Sequence, residues 1–422
     1  MVKQPNLKSP SNSSVYLRII SLVFWVLIGL LALGNFQRMQ LSSTVAIYGH
    51  DLVLPLLIGL IWLKEPQMVS KWKIIFNNSA LRALVVWIGI LFVYQLSQQN
   101  WIYLAYCLRI ALYIAFGMTV WSTNLISARH KWLGLGLYGL VLVGWGWWQY
   151  IFLPDTRFLA VLGWDDHYYR LIGTSFDPNF TGAIIGLLIL IWLYLTQTLK
   201  FKPYVINPLV TFSLIITLIL TYSRASYLSL ATGYLVFNWA NSKTKLITRL
   251  TKLAVHKQFP VGLLFVALAS LAVTVMSQNH SGEGVNLLRT ASIQARITNE
   301  RQIIHNWSLS NWLVGTGFKS NIKQQVGNQV LTPPNLARLP NNLLIGLISG
   351  WGMVGVFLML RALWLMKPWT KLNSGQLGLW VLVLTHSQFN NTLLHPLVLP
   401  VLLLGLSALQ TSGEKLKLEF NS

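Results

Sequence analysis

Twelve stretches of this chain are apolar over the length needed to enter a bilayer, and placing them leaves little freedom in the fold. They fall at about 16–34, 44–62, 80–97, 101–121, 132–152, 180–198, 205–221, 224–240, 259–276, 343–366, 376–389 and 396–410. Backbone inside hydrocarbon must satisfy its own hydrogen bonds, so such runs are expected to be helices. The expected fold is an all-α integral membrane protein with about twelve transmembrane helices and one large extracytoplasmic loop between helices 9 and 10. Composition points the same way. The 422 residues are 54% hydrophobic and 10% charged, whereas a soluble protein carries about 25% charge. The 19 tryptophans and 15 tyrosines suit interfacial belts.

The organisation follows: a polar tail at 1–15, helices 1–9 over 16–276 with an outer loop at 153–179, a large loop at 277–342, helices 10–12 over 343–410, and a tail at 411–422. The last two runs are short. Runs seven and eight are almost contiguous and form a tight hairpin. No small-residue cleavage site precedes Arg38, so the first run is read as an uncleaved helix. The one cysteine, Cys107, cannot form an intrachain disulfide.

An even helix count puts both termini on one side, and the positive-inside rule makes that side the cytoplasm. Of the 32 Lys and Arg, 21 then lie inside, 10 outside, and Arg109 within helix 4. The inner set is 16 Lys and 5 Arg; the outer set is 8 Arg and 2 Lys. Seven of the 10 acids are outer: Asp51, Asp155, Asp165, Asp166, Asp177, Glu283 and Glu300. Lysine suffices to set topology, while arginine is favoured for bidentate phosphate recognition. The asymmetry places the chemistry on the outer face, unless the outer arginines simply pair with outer acids. The net charge of +22 reflects cytoplasmic loops such as Lys243–Lys257 and anionic-lipid contact; nucleic acid is not an expected partner.

Thr221-Tyr222-Ser223-Arg224-Ala225-Ser226 joins runs seven and eight. An arginine there needs water, a partner or an anion; snorkelling at a helix end is the plainer alternative. Small Ser and Ala beside it are expected to leave room for something bulky. The segment 277–342 is too long for a mere connection and is expected to be partly helical. Arg289, Arg296 and Arg301 could lie on one amphipathic helix over the membrane surface there.

Several stretches resemble the O-antigen ligase and polymerase superfamily. Arg170 through Asn179 looks like its Arg-x-x-Gly-x-x-x-x-Pro-Asn element, and Thr221 through Ser226 resembles its Ser-Arg-small-small element. Glu300-Arg301 through Trp307, then Leu313 through Phe318, is similar to its outer-loop segment ending in Gly-x-Gly. Asn342 through Gly355 resembles the helix that follows. The resemblance runs in order over about 40–410. It implies a polytopic glycosyltransferase that moves a glycan from an undecaprenyl-diphosphate-linked donor to a sugar hydroxyl. The acceptor would be lipid A–core in a ligase or a second lipid-linked unit in a polymerase. The place would be the outer face of a bacterial inner membrane, with inversion and without a metal. No His/carboxylate cluster at metal-ligand spacing argues otherwise, and no cofactor is expected.

The chain departs from the family at two positions. The family's His-Asn pair aligns with Asn341-Asn342, and the Glu about nine residues on aligns with Gly350. Asn341 cannot take a proton near neutral pH. For phosphate the candidates are Arg170, Arg224 and Arg301, with Arg289, Arg296 and Arg338 behind them. Candidate bases are His305, four residues after Arg301, and His167, with Asp166 and Glu300 on the same side; a plain surface histidine is the alternative for each. His386 is expected to be a buried, hydrogen-bonded residue. Asp51 is expected to support Arg109. Pro178-Asn179 is expected to cap the sixth helix, with Asn179 as a ligand group the alternative. Ser223 supports the Arg224 corner, and Gly315 and Gly317 permit a tight turn or close approach. Two other classes stay open: a transporter, which would carry charge along several helices around a central cavity, and a non-catalytic binder of the lipid-linked donor.

Overall fold

The computed structural model describes residues 12–42, 45–68, 70, 77–199, 206–242, 285, 287, 291–318, 324–326, 329–331 and 340–410. The expected ninth run, the 243–257 basic run, residues 1–11 of the N-terminal tail, the C-terminal tail, Arg289 and Arg338 lie outside them, and the first helix starts at Asn12, inside the expected tail.

Every other apolar run falls on a helix. They are α1 (Asn12–Leu33), α2 (Gly49–Lys64), α3 (Ser79–Ser97), α4 (Trp101–Ser122), α5 (Ala128–Phe152), α6 (Pro178–Leu199), α7 (Ile206–Leu220) and α8 (Arg224–Ser242). The large loop contributes α9 (Ala291–His305) and α10 (Leu309–Val314), and the chain ends with α11 (Leu343–Met366), α12 (Ser374–His386) and α13 (Val398–Ala408). Among the described residues, five helices are long and apolar enough to cross a membrane by length and composition, within α1, α3, α4, α6 and α11 and their margins. Outward-facing apolar side chains such as Leu63, Val93, Leu140 and Phe357 are what surrounding hydrocarbon requires. The chain is a multi-pass membrane protein.

The all-α expectation needs one correction. Two antiparallel ribbons are present: β1 (Arg38–Gln40) with β2 (Ala46–Tyr48), and β3 (Gln324–Val326) with β4 (Gln329–Leu331). The first takes the start of the second apolar run, so α2 begins at Gly49 rather than near 44. Lys131, just before the fifth apolar run, is drawn into the packing. It is buried and donates to Val120 O at 2.7 Å and Ser407 Oγ at 2.8 Å, closing the C-terminal end of α4.

Helix α6 is apolar on nearly every side and sits at the centre, packed by α7, α8, α12 and α13. Phe24, Leu54, Phe116, Leu142, Leu187, Leu382 and Val401 belong to one core joining α1, α2, α4, α5, α6, α12 and α13. Helices α8 and α12 approach through small residues: a Cβ on Gly233 would lie 2.8 Å from Gly378 O.

A second core joins α3, α4 and α11 around Leu91, Tyr103, Phe318 and Trp351. Here α11 is broken at Gly352 (φ 68°, ψ 174°). The break leaves Ser349 O to the loop, where it accepts from Thr316 N (2.7 Å) and Gly317 N (3.0 Å). Gly315 (φ +88°) and Gly317 (φ +72°) make this possible. A Cβ on Gly315 would meet Ser349 O at 2.8 Å, and one on Gly317 would meet the Gln95 carboxamide. The Gly-x-Gly element therefore anchors the described part of the large loop onto α11.

Candidate functional site

The corner between α7 and α8 is a tight turn with Tyr222 in the left-handed region (φ +51°). Thr221 N bonds Leu218 O, Tyr222 N bonds Ile219 O, and Ser223 Oγ accepts from Ser226 N at 3.4 Å, capping α8. Arg170 braces this corner. It is buried, and it donates through Nε to Thr221 O (3.0 Å) and through Nη2 to Tyr222 O (3.5 Å); Leu171 N bonds Leu220 O. A guanidinium on carbonyls that follow α7 meets unsatisfied acceptors and the negative helix end. The structure thus places Arg170 behind Arg224, holding the turn that presents it.

The helix cap at α6 also differs from expectation. Asp177 Oδ1 accepts from Asn179 N and Phe180 N, and Pro178 is the first helical residue. Asp177 does the capping, which leaves the Asn179 side chain for other partners. Its Oδ1 accepts from Ser223 Oγ at 3.1 Å. Ser226 Oγ bonds Ser223 Oγ (2.8 Å) and His386 Nε2 (3.0 Å), and His386 Nδ1 meets Thr392 Oγ1. His386 is fully buried with both ring nitrogens engaged, as expected. Ser223 and Ser226 are equally buried, and a Cβ on Gly182 would run into Ser226. Their small size serves the close packing of α8 on α6 rather than space for a ligand; of the small residues, Ala225 faces open volume.

That volume is a cavity of about 370 Å³ lined by Asn179, Arg224, Ala225, Leu228, Ile293, Arg296, Ile297, Glu300, Gln388 and Phe389. The N-terminal ends of α6 and α8 border it; Asp177 occupies the first amides of α6, and the dipole at the start of α8 favours negative charge. Arg224 Nη1 donates to Leu287 O at 3.0 Å. From α9 come Ile293, Arg296, Ile297 and Glu300, an i, i+3, i+4, i+7 stripe. Arg301 is five residues beyond Arg296, about 140° around the helix, and is exposed, as is His305. The structure therefore separates Arg301 and His305 from Arg224 and brings Arg296 to it.

Other expected residues fall outside the lining. His167 is buried in the 153–177 loop, where its carbonyl accepts from Thr156 N and Oγ1. Asp166 is exposed. Asn341 O accepts from Asn391 N. A Cβ at Gly350 would run into the Phe318 ring, so this chain fills with an aromatic the space that a longer side chain there would need. Asp51 lies in a separate closed cluster, bonded to Arg109 Nη2 (2.7 Å), Tyr113 Oη (2.7 Å) and Tyr48 N (3.1 Å); the expected Asp51–Arg109 pair is formed. Gln388 and Phe389, which follow α12, line the cavity without having been expected to. The only available signal was the polar end of the eleventh apolar run.

Electrostatics ties the two outer segments together. Desolvation lowers the Arg296 pKa, Arg224 adds to that, and Asp177, Asp165 and Glu300 oppose it. Glu300 is raised by burial, against the Asn342 N–H that its Oε1 accepts at 3.0 Å and against Arg296. Asp165 is exposed, yet desolvation by the surrounding protein, then Asp177 and Asp166, push it up to about 6, with Arg170 and Arg296 pulling the other way. Among the described residues no group of three or more His, Cys, Asp or Glu could hold a metal ion.

Residues 209–360 match the family model described as O-Antigen ligase. The matched span runs from α7 into α11 and includes the Arg224 corner and the cavity face of α9. No curated protein matches the chain.

Proposed function

Because this chain belongs to the O-antigen ligase superfamily, with a ligase- or polymerase-type role in lipopolysaccharide biosynthesis, we propose that its cavity binds the diphosphate of an undecaprenyl-diphosphate-linked glycan. The glycan is then transferred to a sugar hydroxyl of lipid A–core at the outer face of the inner membrane. One observation carries the reading. Two arginines from distant segments, Arg224 and Arg296, line one cavity bordered by the N-terminal ends of α6 and α8.

The chemistry asks for little more. A departing diphosphate needs its developing charge held, and fixed guanidinium groups do this without a proton transfer. Asn179 adds a donor: with Oδ1 engaged by Ser223, its amide nitrogen is the end left for a phosphate oxygen. Leu228, Ile293, Ile297 and Phe389 give the cavity an apolar side suited to the first isoprene units. Arg170 acts behind this site by fixing the corner.

Deleting the gene and resolving surface glycans on gels tests the reading. Loss of all polymer on lipid A–core supports a ligase, and attachment of single repeats supports a polymerase instead. Unchanged glycans would sink both. In the complemented strain, Arg224→Ala should abolish transfer with membrane insertion intact.

A further inference from the structure

We propose that Glu300 is the group that takes the proton from the acceptor hydroxyl, filling the place of the histidine for which this chain has Asn341. The inference rests on the diphosphate reading of the cavity and adds a second function to the same volume.

Three observations converge on Glu300. It shares the cavity face of α9 with Arg296 one turn earlier, so a carboxylate and a phosphate-binding guanidinium border one space. Oε1 is tied at 3.0 Å to the Asn342 N–H at the cap of α11, and the Asn342 carboxamide is itself bonded to Gln388. That clamp fixes the side chain, leaving Oε2 with no hydrogen-bond partner among the described residues. The other acid-base candidates are elsewhere: His305 and Asp166 are exposed, His167 is packed in its loop, and His386 is buried with both nitrogens occupied. Partial burial raises the proton affinity of Glu300, the direction a base working near neutral pH needs.

The step balances without a co-reactant. As the acceptor oxygen bonds the anomeric carbon, its proton passes to Glu300 Oε2. The bond between that carbon and the phosphate oxygen breaks, and its electron pair leaves on undecaprenyl diphosphate, held by Arg224 and Arg296. Glu300 then releases the proton to water.

The full-length protein in lipid nanodiscs provides the test, with undecaprenyl diphosphate as binding probe. Donor and acceptor lipids extracted from the deletion strain serve for transfer. Glu300→Gln keeps the acceptor for Asn342 N–H, so the clamp survives. Transfer should fall by about 10²–10⁴-fold, with undecaprenyl diphosphate bound at least as tightly as by wild type. The wild-type rate should fall on the acid side as Glu300 protonates, Glu300→Asp should retain such a limb at lower rate, and residual Glu300→Gln transfer should lack it. Transfer by Glu300→Gln at the wild-type rate would overturn the assignment while leaving the diphosphate site standing. Loss of probe binding in Glu300→Gln would overturn it too, by making the residue structural. If Arg224→Ala and Arg296→Ala bind the probe like wild type, the diphosphate reading itself fails, and this inference with it.

Discussion

Among the described residues, the arginine–carboxylate cluster around Arg109 and the one around Arg224 and Arg296 are built in opposite ways. Around Arg109 everything is closed. Asp51 meets it at 2.7 Å, Ala46 O accepts from it, and Tyr113, Tyr48 and His50 surround the pair. Arg224 and Arg296 instead line a cavity, with Arg224 Nη1 donating to Leu287 O. Arg296 has no ion pair within 4.0 Å among the described residues, and Asp165, Asp177 and Glu300 act on it through space. A mid-helix charge whose partner is supplied at contact stabilises the fold. In the reading proposed above, the arginines that line the open volume meet a ligand instead.

Substitutions can break that contrast. The largest effect is expected at the open cluster: Arg224→Ala or Arg296→Ala should each lower transfer by at least about 10²-fold, with thermal stability in detergent close to wild type. A large stability loss instead would make these arginines structural. Asp51→Asn should do the reverse. Removing one partner of a buried pair costs about 3–5 kcal/mol, so the midpoint of thermal unfolding should drop sharply while transfer per folded molecule stays near normal. A catalytic loss without a stability loss would bring Asp51 into the chemistry.

Smaller effects sharpen the boundary of the cavity. Arg301→Ala should change transfer by less than about threefold, as for an exposed, solvated charge; abolished transfer would require α9 to rotate in the working enzyme. The smallest effect concerns pH. Asp165 is raised to about 6, so it is charged above that pH and protonated below. Protonation removes a negative charge from beside Arg296, so undecaprenyl diphosphate should bind more tightly as pH falls from 7.5 to 5. Asp165→Asn should bind more tightly at pH 7.5 and flatten that trend by a few fold at most. An unchanged slope would remove Asp165 from the electrostatics of the site.

The helices were legible because apolar length and bilayer thickness constrain one another. Among the described residues, the apolar runs from 16–34 to 224–240 and from 343–366 to 396–410 fall on helices, and the hairpin of α7 and α8 is where Thr221–Ser226 put it. Arg224 was legible because a charge at the junction of two apolar runs demands an explanation. The Asp51–Arg109 pair could be read for the same reason. What could not be read were relations of direction. Arg170 and Arg301 sit in motifs as persuasive as those of Arg224, yet one turns inward onto backbone carbonyls and the other outward to solvent. Sequence spacing fixes the angle between Arg296 and Arg301 on α9 but not which angle faces α8.

By itself, then, the sequence determined a multi-pass helical protein with an arginine-rich outer side and one break at Thr221–Ser226, since hydrophobic length and charge placement are properties of the chain alone. Only the tertiary structure decided that Arg296 and Glu300 face Arg224, that Asp177 caps α6 and frees Asn179, and that Phe318 fills the space over Gly350. Those choices depend on which helix faces pack together, and packing is settled between segments far apart in sequence, by contacts that neither segment encodes without the other.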